Sequence, residues 1–166
     1  MNDKLEALTY AMLDYEAGCP ERGQHLLKVH TFSRLIGTGE RLDENTLFVL
    51  ETAALVHDIG IRPALTEYGS SAGPLQEKLG PPIAEKLLRE LDFEDSVIER
   101  VCWLVGHHHT YTDINAPDYQ ILVEADFLVN LYENNASADA CRSAYRKIFR
   151  TGTGKRICRK MYSIED

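Results

Sequence analysis

Polar residues interrupt apolar stretches of the sequence at four places, and their side chains are of the kinds that bind metal ions or move protons. Asp126 lies in the string ILVEADFLVNL, where apolar residues surround it on every side of a helix. Because desolvation of a buried ion costs on the order of several kcal/mol, this carboxylate must be protonated, ion-paired or bound to a metal. The alternative is a structural aspartate that caps a neighbouring helix.

His57 and Asp58 form the second place. They follow the apolar run AALV and come just before Gly60. Adjacent residues of a helix point about 100° apart, so both side chains reach one centre only if it lies in a crevice beyond the helix end. Metal sites often use that geometry, but a core histidine paired with its neighbour would leave the same pattern.

The third place is a run of histidines, His107, His108 and His109, which follows Gly106. The run comes at the predicted end of a helix, directly after Leu104 and Val105. Histidines in that position can face a cleft, where they bind metals or anions. They can equally form a solvated loop.

His25 and His30 lie on one predicted helix, five residues and therefore about 140° apart. They cannot share a face. His25 is in line with the apolar residues Val29, Phe32 and Ile36, so we expect it to face the interior. His30 falls off that stripe, which favours a structural or exposed position.

The elements that must position these residues have helical periodicity almost throughout, and the chain is predicted to be an all-α, compact single-domain helical bundle. The expected helices cover residues 3–16, 21–37, 43–60, 81–91, 95–106 and 118–131, with two shorter helices after them. Asp43 is a natural N-cap, and the pair Pro81 and Pro82 suits a first helical turn. Residues 61–74 contain loop-forming residues, so this segment is either an irregular connector or a mobile cover over a pocket.

Charge is unevenly distributed along the chain. The net charge is −8, from 18 basic and 26 acidic residues, yet residues 140–160 hold eight basic residues and no acidic one. One interpretation docks this segment on an acidic body, with Ile148, Phe149, Ile157 and Met161 packing inward. The other places Lys155 or Arg156 at the mouth of a binding pocket. The single domain would then span residues 1–166, with a core of motifs at about 24–131 and docked basic helices at 139–162.

Composition excludes several classes of protein. The apolar runs are too short and too polar to span a bilayer, and no export signal is visible, so we expect no membrane partner. Four separated cysteines without a C-x-x-C pair favour neither a zinc ribbon nor a redox dithiol, and fit a reducing, cytoplasmic location. The acidic field disfavours nucleic acid as a partner. Assembly into a homo-oligomer stays open.

Taken in order, the four places resemble the HD-domain superfamily of metal-dependent phosphohydrolases, whose pattern is H…HD…D on an all-helical bundle. His25 stands in the string HLLKV, His57 and Asp58 in ALVHDIG, and Asp126 in ADFL, which match the contexts of that pattern. The resemblance covers about residues 24–131. It is specific for the superfamily and carries no substrate identity.

The resemblance implies that His25, His57, Asp58 and Asp126 are metal ligands. It gives His107 and His108 a role in binding substrate phosphate or a second metal. Many two-metal members have a further histidine ligand where this chain has QEKLGPPIA, with Gln76 in the corresponding position. Glutamine is a poor ligand beside imidazole, so any second ion should be weakly held.

The implied chemistry is hydrolysis by a metal-activated water. Two imidazoles and two carboxylates suit a divalent metal ion, and manganese, iron, cobalt, nickel, zinc and magnesium all stay open. Such an ion lowers the pKa of bound water from about 15.7 toward about 7. Asp58 would orient the water or take its proton, and His107 and His108 would neutralise charge on phosphoryl oxygens. Arg62 and Lys28 are candidate substrate-binding residues.

Three functions are compatible with these features. The first is a phosphohydrolase acting on a small phosphorylated substrate, most simply a nucleotide or a nucleotide-derived molecule. The second is a non-catalytic HD-type module that senses a ligand or metal. The third is a nucleic-acid-binding protein that uses the basic segment, although no stacking platform or DNA-reading motif supports it.

Overall fold

The computed structural model describes residues 2–165, and every regular element in this part of the chain is a helix. The helices are α1 (Asp3–Tyr15), α2 (Pro20–Gly39), α3 (Glu44–Val56), α4 (Ile61–Tyr68), α5 (Gly73–Glu90), α6 (Asp95–Val105), α7 (Pro117–Glu133), α8 (Ala138–Lys147) and α9 (Gly152–Tyr162). The predicted all-helical fold class is confirmed. Within residues 2–165, no helix is both long enough and apolar enough to cross a membrane.

Capping residues set several of the helix starts. The Asp43 side chain accepts hydrogen bonds from the backbone N–H groups of Asn45 and Thr46 and begins α3, as the sequence predicts. Ser137 accepts from Ala140 N at the start of α8 in the same way. These caps place the following apolar residues in register with the core.

The helices α2, α3 and α7 form the centre of the bundle and carry three of the four chemical motifs. On α7, nearly every residue from Asp118 to Leu131 is buried, and on α3 the same holds from Val49 to Val56. Helix α2 packs along both of them. A polar side chain on the inner face of these helices therefore lies in a dry environment, where its charge needs a partner.

Helix α4 occupies most of the segment that the sequence predicts as a loop, so that expectation is wrong for residues 61–68. Pro63 is the third residue of α4, a position whose N–H has no partner within a helix, so proline is tolerated there. Gly69 ends the helix with a φ of 64°, in the left-handed region, and its N–H reaches back to the last turn. The true connector is short, at residues 69–72.

Pro81 and Pro82 lie inside α5 rather than at its start, which corrects a second expectation. Tertiary contacts hold α5 across the proline pair. A Cβ on Gly80 would lie 2.7 Å from Val105 Cγ1, and a Cβ on Gly60 would lie 2.6 Å from the carbonyl oxygen of Gln76. The glycines thus allow α5 to approach both α6 and the turn that follows α3 at backbone distance.

The basic helices α8 and α9 pack on α7 through apolar and polar contacts. Phe149 and Cys158 are fully buried in the main core, whereas Met161, expected to face inward, is 45% exposed. The buried carboxylate of Glu124 accepts hydrogen bonds from the N–H groups of Arg150 and Thr151 and from the Thr151 hydroxyl. The described cysteines are all free thiols.

Candidate metal centre

His57 and Asp58 lie in the turn directly after α3, at the floor of a cleft. His57 is fully buried, and its Nδ1–H donates to the carbonyl oxygen of Ala54 at 2.9 Å. Because a carbonyl only accepts, this bond leaves Nε2 with its lone pair free. The apolar residues of α3 thus hold His57 in the tautomer that can bind a metal through Nε2.

His25 from α2 and Asp126 from α7 meet this pair. His25 Nε2 lies 3.2 Å from Asp126 Oδ1, 3.3 Å from Asp58 Oδ2 and 3.3 Å from His57 Nε2. His57 Nε2 is 3.5 Å from Asp126 Oδ1. The side chains of all four residues are almost completely buried.

The separations measured from His25 Nε2 fit donors to one shared ion. Four donor atoms placed at about 2.1 Å from a divalent metal lie about 3.0–3.4 Å from one another, depending on the coordination geometry. Two imidazole nitrogens and two carboxylates make a donor set that first-row divalent metals accept. His25, His57 and Asp58 also offer one ligand atom each within 4.8 Å of one another. The residues present therefore fit a metal.

A carboxylate outside the cluster orients His25. The Nδ1–H of His25 donates to Glu133 Oε2 at 2.8 Å, and the other carboxylate oxygen of Glu133 lies 2.6 Å from Lys28 Nζ. The bond to Nδ1 directs Nε2 toward Asp126 and Asp58. Glu133 follows Asp126 by seven residues, two helical turns along the same face of α7, and that spacing is the signal by which the sequence could have revealed it.

The charges in the cluster stabilise one another. Burial alone would raise the pKa of Asp58, but His57 and His108 outweigh that effect and hold the pKa at about 2. Burial would lower the pKa of His25, but its bond to Asp126 and the nearby charge of Asp58 raise it to about 9. In the absence of a metal, a proton on His25 therefore offsets part of the negative charge of Asp58 and Asp126.

The histidine run contributes His109 to the cleft and His108 to the buried cluster beside Asp58. His108 is fully buried, its Nδ1–H donates to Val105 O at 2.8 Å, and its Nε2 lies 3.2 Å from Asp58 Oδ1. The His109 ring packs against the His108 ring with centroids 4.0 Å apart. Asp58, His108 and His109 form a second group with ligand atoms within 4.8 Å.

Gln76 holds His109 in place. His109 Nε2–H donates to Gln76 Oε1 at 3.0 Å, and the amide of Gln76 donates to Ser71 O at 2.7 Å. Burial and the positive charge of His108 lower the pKa of His109 to about 4, so its ring is neutral near pH 7. Gln76 thus acts as a hydrogen-bond acceptor for His109.

The structure does not bring His107 to the cluster. Its Nδ1–H donates to Trp103 O at 2.7 Å, and its ring stacks on the Trp103 ring at 3.9 Å. The expected pair of His107 and His108 is therefore replaced by His108 and His109. Consecutive residues at a helix end differ in direction by about 100°, and the sequence does not reveal where the turn after α6 points them.

Neither of the two expected substrate-binding residues lines the cleft, although Lys28 lies at its edge. Arg62 donates to Ala17 O at 3.1 Å and lies beside Glu16, and Lys28 pairs with Glu133. Lys155 and Arg156 are not part of the cleft wall either. Arg22, which the sequence analysis did not single out, does line the cleft, with its Nε 2.6 Å from the buried carboxylate of Glu16.

The cleft has a volume of about 530 Å³. His25, Asp58, Gln76 and His109 form its floor. Tyr111 and Phe127 form an aromatic wall with ring centroids 5.2 Å apart. Its size falls within the range of about 300–1,000 Å³ that is usual for small-molecule sites.

Comparison with curated proteins and with solved structures finds no match. The chain does match a known protein family, the HD domain, over residues 22–142, which is nearly three quarters of its 166 residues. That span contains all the cluster residues, from His25 on α2 to Asp126 on α7. The bundle, the buried His and Asp residues and the extent of this match lead to one conclusion: the chain belongs to the HD-domain family.

Proposed function

We propose that the protein is a metal-dependent phosphohydrolase that cleaves a small phosphate ester, a nucleotide or a nucleotide-derived molecule. The observation that carries the proposal is the convergence of His57, Asp58 and Asp126 on His25, whose Nε2 lies 3.2–3.3 Å from each of them, where His25 and Asp58 line a small-molecule cleft. Membership of the HD-domain family supports it. A purely structural cluster would not need to open onto a cleft.

The metal ligands in this proposal are His25, His57, Asp58 and Asp126. A divalent ion bound there supplies Lewis acidity, which makes water nucleophilic near neutral pH. Manganese, iron, cobalt, nickel, zinc and magnesium are the candidates. Gln76 in place of an imidazole favours one tightly held ion, with any second ion weakly held by Asp58, His108 and His109.

The side chains around the cluster have separate roles. Asp58 orients the attacking water and accepts its proton. His108 uses its Nδ1–H on Val105 O, so it donates from Nε2 to a phosphoryl oxygen only when the ring is protonated. Burial lowers the pKa of His108, but its bond to Asp58 and the charge of Asp58 raise it further, which favours the protonated form that can donate. Arg22 takes the anchoring role that the sequence analysis gave to Arg62 and Lys28.

The test is phosphate release from a panel of nucleotides and simple phosphate esters, after chelation and reloading of the protein with each candidate metal. We expect turnover with at least one metal, loss of turnover in Asp58→Asn, and a severe reduction in His108→Gln. His107→Gln is the matched control from the same histidine run, and it should keep most of the activity, because His107 faces Trp103.

Metal and nucleotide binding without any turnover would reject the proposal and favour the alternative, a non-catalytic sensing module. Loss of activity in His107→Gln equal to that in His108→Gln, with both variants folded, would reject the roles assigned to the two histidines. Elemental analysis of the purified protein gives an independent check of the metal itself.

A further inference from the structure

The charges around the cleft limit what kind of substrate it can hold. We infer that the substrate carries a single phosphate group, as in a nucleoside monophosphate, and that the cleft excludes molecules with two or more phosphates. The inference rests on the proposed function and adds the substrate class to it.

Cationic side chains are scarce at the cleft. Among the described residues that line it, only Arg22 carries a guanidinium or ammonium group. Arg22 is already partly neutralised, because its Nε lies 2.6 Å from Glu16 Oε2, and the Glu16 side chain is buried. One guanidinium with its terminal N–H groups can bind one phosphate, but it offers little to a longer phosphate chain.

The other basic residues near the cleft are already paired with neighbouring groups. Lys28 Nζ lies 2.6 Å from Glu133 Oε1, and Arg62 donates to Ala17 O and lies 3.6 Å from Glu16 Oε2. Neither residue lines the cleft. Among the described residues, Arg22 is therefore the one basic residue that lines the cleft, and Lys28, at its edge, is already paired with Glu133.

Acidic residues surround the same space. Glu21 and Glu133 line the cleft together with Asp58, and Asp126 lies beneath it. Two carboxylates would be neutralised by a divalent ion, and Glu133 by Lys28, which leaves Glu21 as an uncompensated negative charge. A second phosphate group would add about one or two further negative charges beside it, at a cost that low-dielectric surroundings increase.

The aromatic wall of the cleft, formed by Tyr111 and Phe127, suits the nucleoside part of a nucleoside monophosphate. Phe127 and Tyr111 present aromatic surface. Burial raises the pKa of the Tyr111 hydroxyl to about 12, so this wall stays uncharged. A nucleoside provides a flat apolar group for such a wall and a single phosphate for the metal centre.

The first experiment compares substrates that differ in the number of phosphates. The metal-loaded full chain is assayed with adenosine 5′-monophosphate, adenosine 3′,5′-bisphosphate, adenosine diphosphate and p-nitrophenyl phosphate at fixed ionic strength. We expect kcat/KM to be about tenfold or more higher for the monophosphate than for either doubly phosphorylated nucleotide. Equal or faster hydrolysis of a doubly phosphorylated nucleotide would overturn the inference.

Binding separates this inference from the proposed function. Titration calorimetry with the phosphonate analogue of adenosine monophosphate and with methylene-bridged adenosine diphosphate needs no turnover. Tighter binding of the analogue with one phosphonate group supports the inference even if no substrate is hydrolysed; absence of hydrolysis would reject only the phosphohydrolase. Equal affinity for both analogues, or tighter binding of the bridged diphosphate, overturns the inference.

A charge variant tests the cause. Glu21→Gln removes one negative charge from the cleft wall, so the preference for the monophosphate should fall about threefold. Glu6→Gln is the matched control, because Glu6 is exposed on α1 and does not line the cleft. A preference that is the same in Glu21→Gln and in the parent protein would show that something other than cleft charge selects the substrate.

Discussion

Replacement of Glu133 should loosen the metal without removing any of its ligands. Glu133 Oε2 accepts the Nδ1–H of His25 at 2.8 Å, and its other oxygen lies 2.6 Å from Lys28 Nζ. In Glu133→Ala, His25 loses the group that fixes its tautomer and ring orientation. Loss of such an outer partner typically costs about 10–100-fold in metal affinity.

The structure places the expected effect of Glu133→Ala at the low end of that range. The Glu133 side chain is 27% exposed, so water can replace part of the lost hydrogen bond. We therefore expect an affinity loss of about tenfold, equivalent to about 1.4 kcal/mol. Lys28→Ala leaves the bond to His25 in place and should change the affinity by less than Glu133→Ala does.

The assay is competition for the metal between the protein and a fluorescent chelator at pH 7. Glu90→Ala is a suitable control, because Glu90 is exposed and pairs only with Lys86 on the surface of α5. Asp126→Ala should abolish tight binding and so calibrates the assay. Unchanged affinity in Glu133→Ala, alongside lost affinity in Asp126→Ala, would refute the idea that His25 needs an external carboxylate to act as a ligand.

Three further variants test the fold around the site. In Gly60→Ala the added Cβ would meet backbone atoms of α5, so chemical denaturation should show a loss of about 1–3 kcal/mol, whereas Gly152→Ala has only ordinary contacts and should cost less. Glu124→Ala leaves backbone N–H groups of the segment before α9 unpaired and should destabilise the protein by about 3 kcal/mol in the same assay. Burial lowers the pKa of His30 although Glu51 lies 3.0 Å from its ring, so His30 binds a proton more readily in the unfolded chain than in the folded one. The contribution of neutral His30 to the free energy of unfolding is therefore present above about pH 6.5 and is lost as the pH falls through the pKa of the folded state. Unfolding at pH 7.5 and 5.5 should therefore show a smaller loss in His30→Gln than in the parent protein, and an identical loss would contradict the assigned direction.

Helical periodicity in the sequence predicts most of the helices and some of the residues in the cluster. Asp126 could be identified because apolar residues flank it on all sides, and α7 is indeed buried almost throughout. The spacing of His25 and His30 indicated that they face different directions, and the structure places His25 in the cluster and His30 beside Glu51. His30 is nevertheless buried, because α3 covers the second face of α2.

Tertiary contacts, which the periodicity does not reveal, determine which of several neighbouring side chains reach the site and where α5 begins. Which of the three consecutive histidines reach the cluster depends on the turn after α6, and the His107 ring instead stacks on the Trp103 ring. Arg22 and Lys28 are each three residues from His25, so the sequence alone does not tell which one lines the cleft. Pro81 resembled a helix start because local preference favours that position, yet the contacts of α5 with its neighbours carry the helix through it.

The carboxylate of Glu124 has a consequence for the order in which the chain folds during synthesis. Its partners, the backbone of residues 150 and 151 and the Thr151 hydroxyl, follow it by about 26 residues. A nascent chain that ends before residue 150 has α7 complete, and Gln120 Nε2 on that helix already donates to this carboxylate at 2.7 Å, but the donors of the later segment are still missing. Burial of an incompletely paired carboxylate is costly. The late segment therefore completes the pairing of this carboxylate, and we expect full burial of this face of α7 only after residues 150 and 151 have been made.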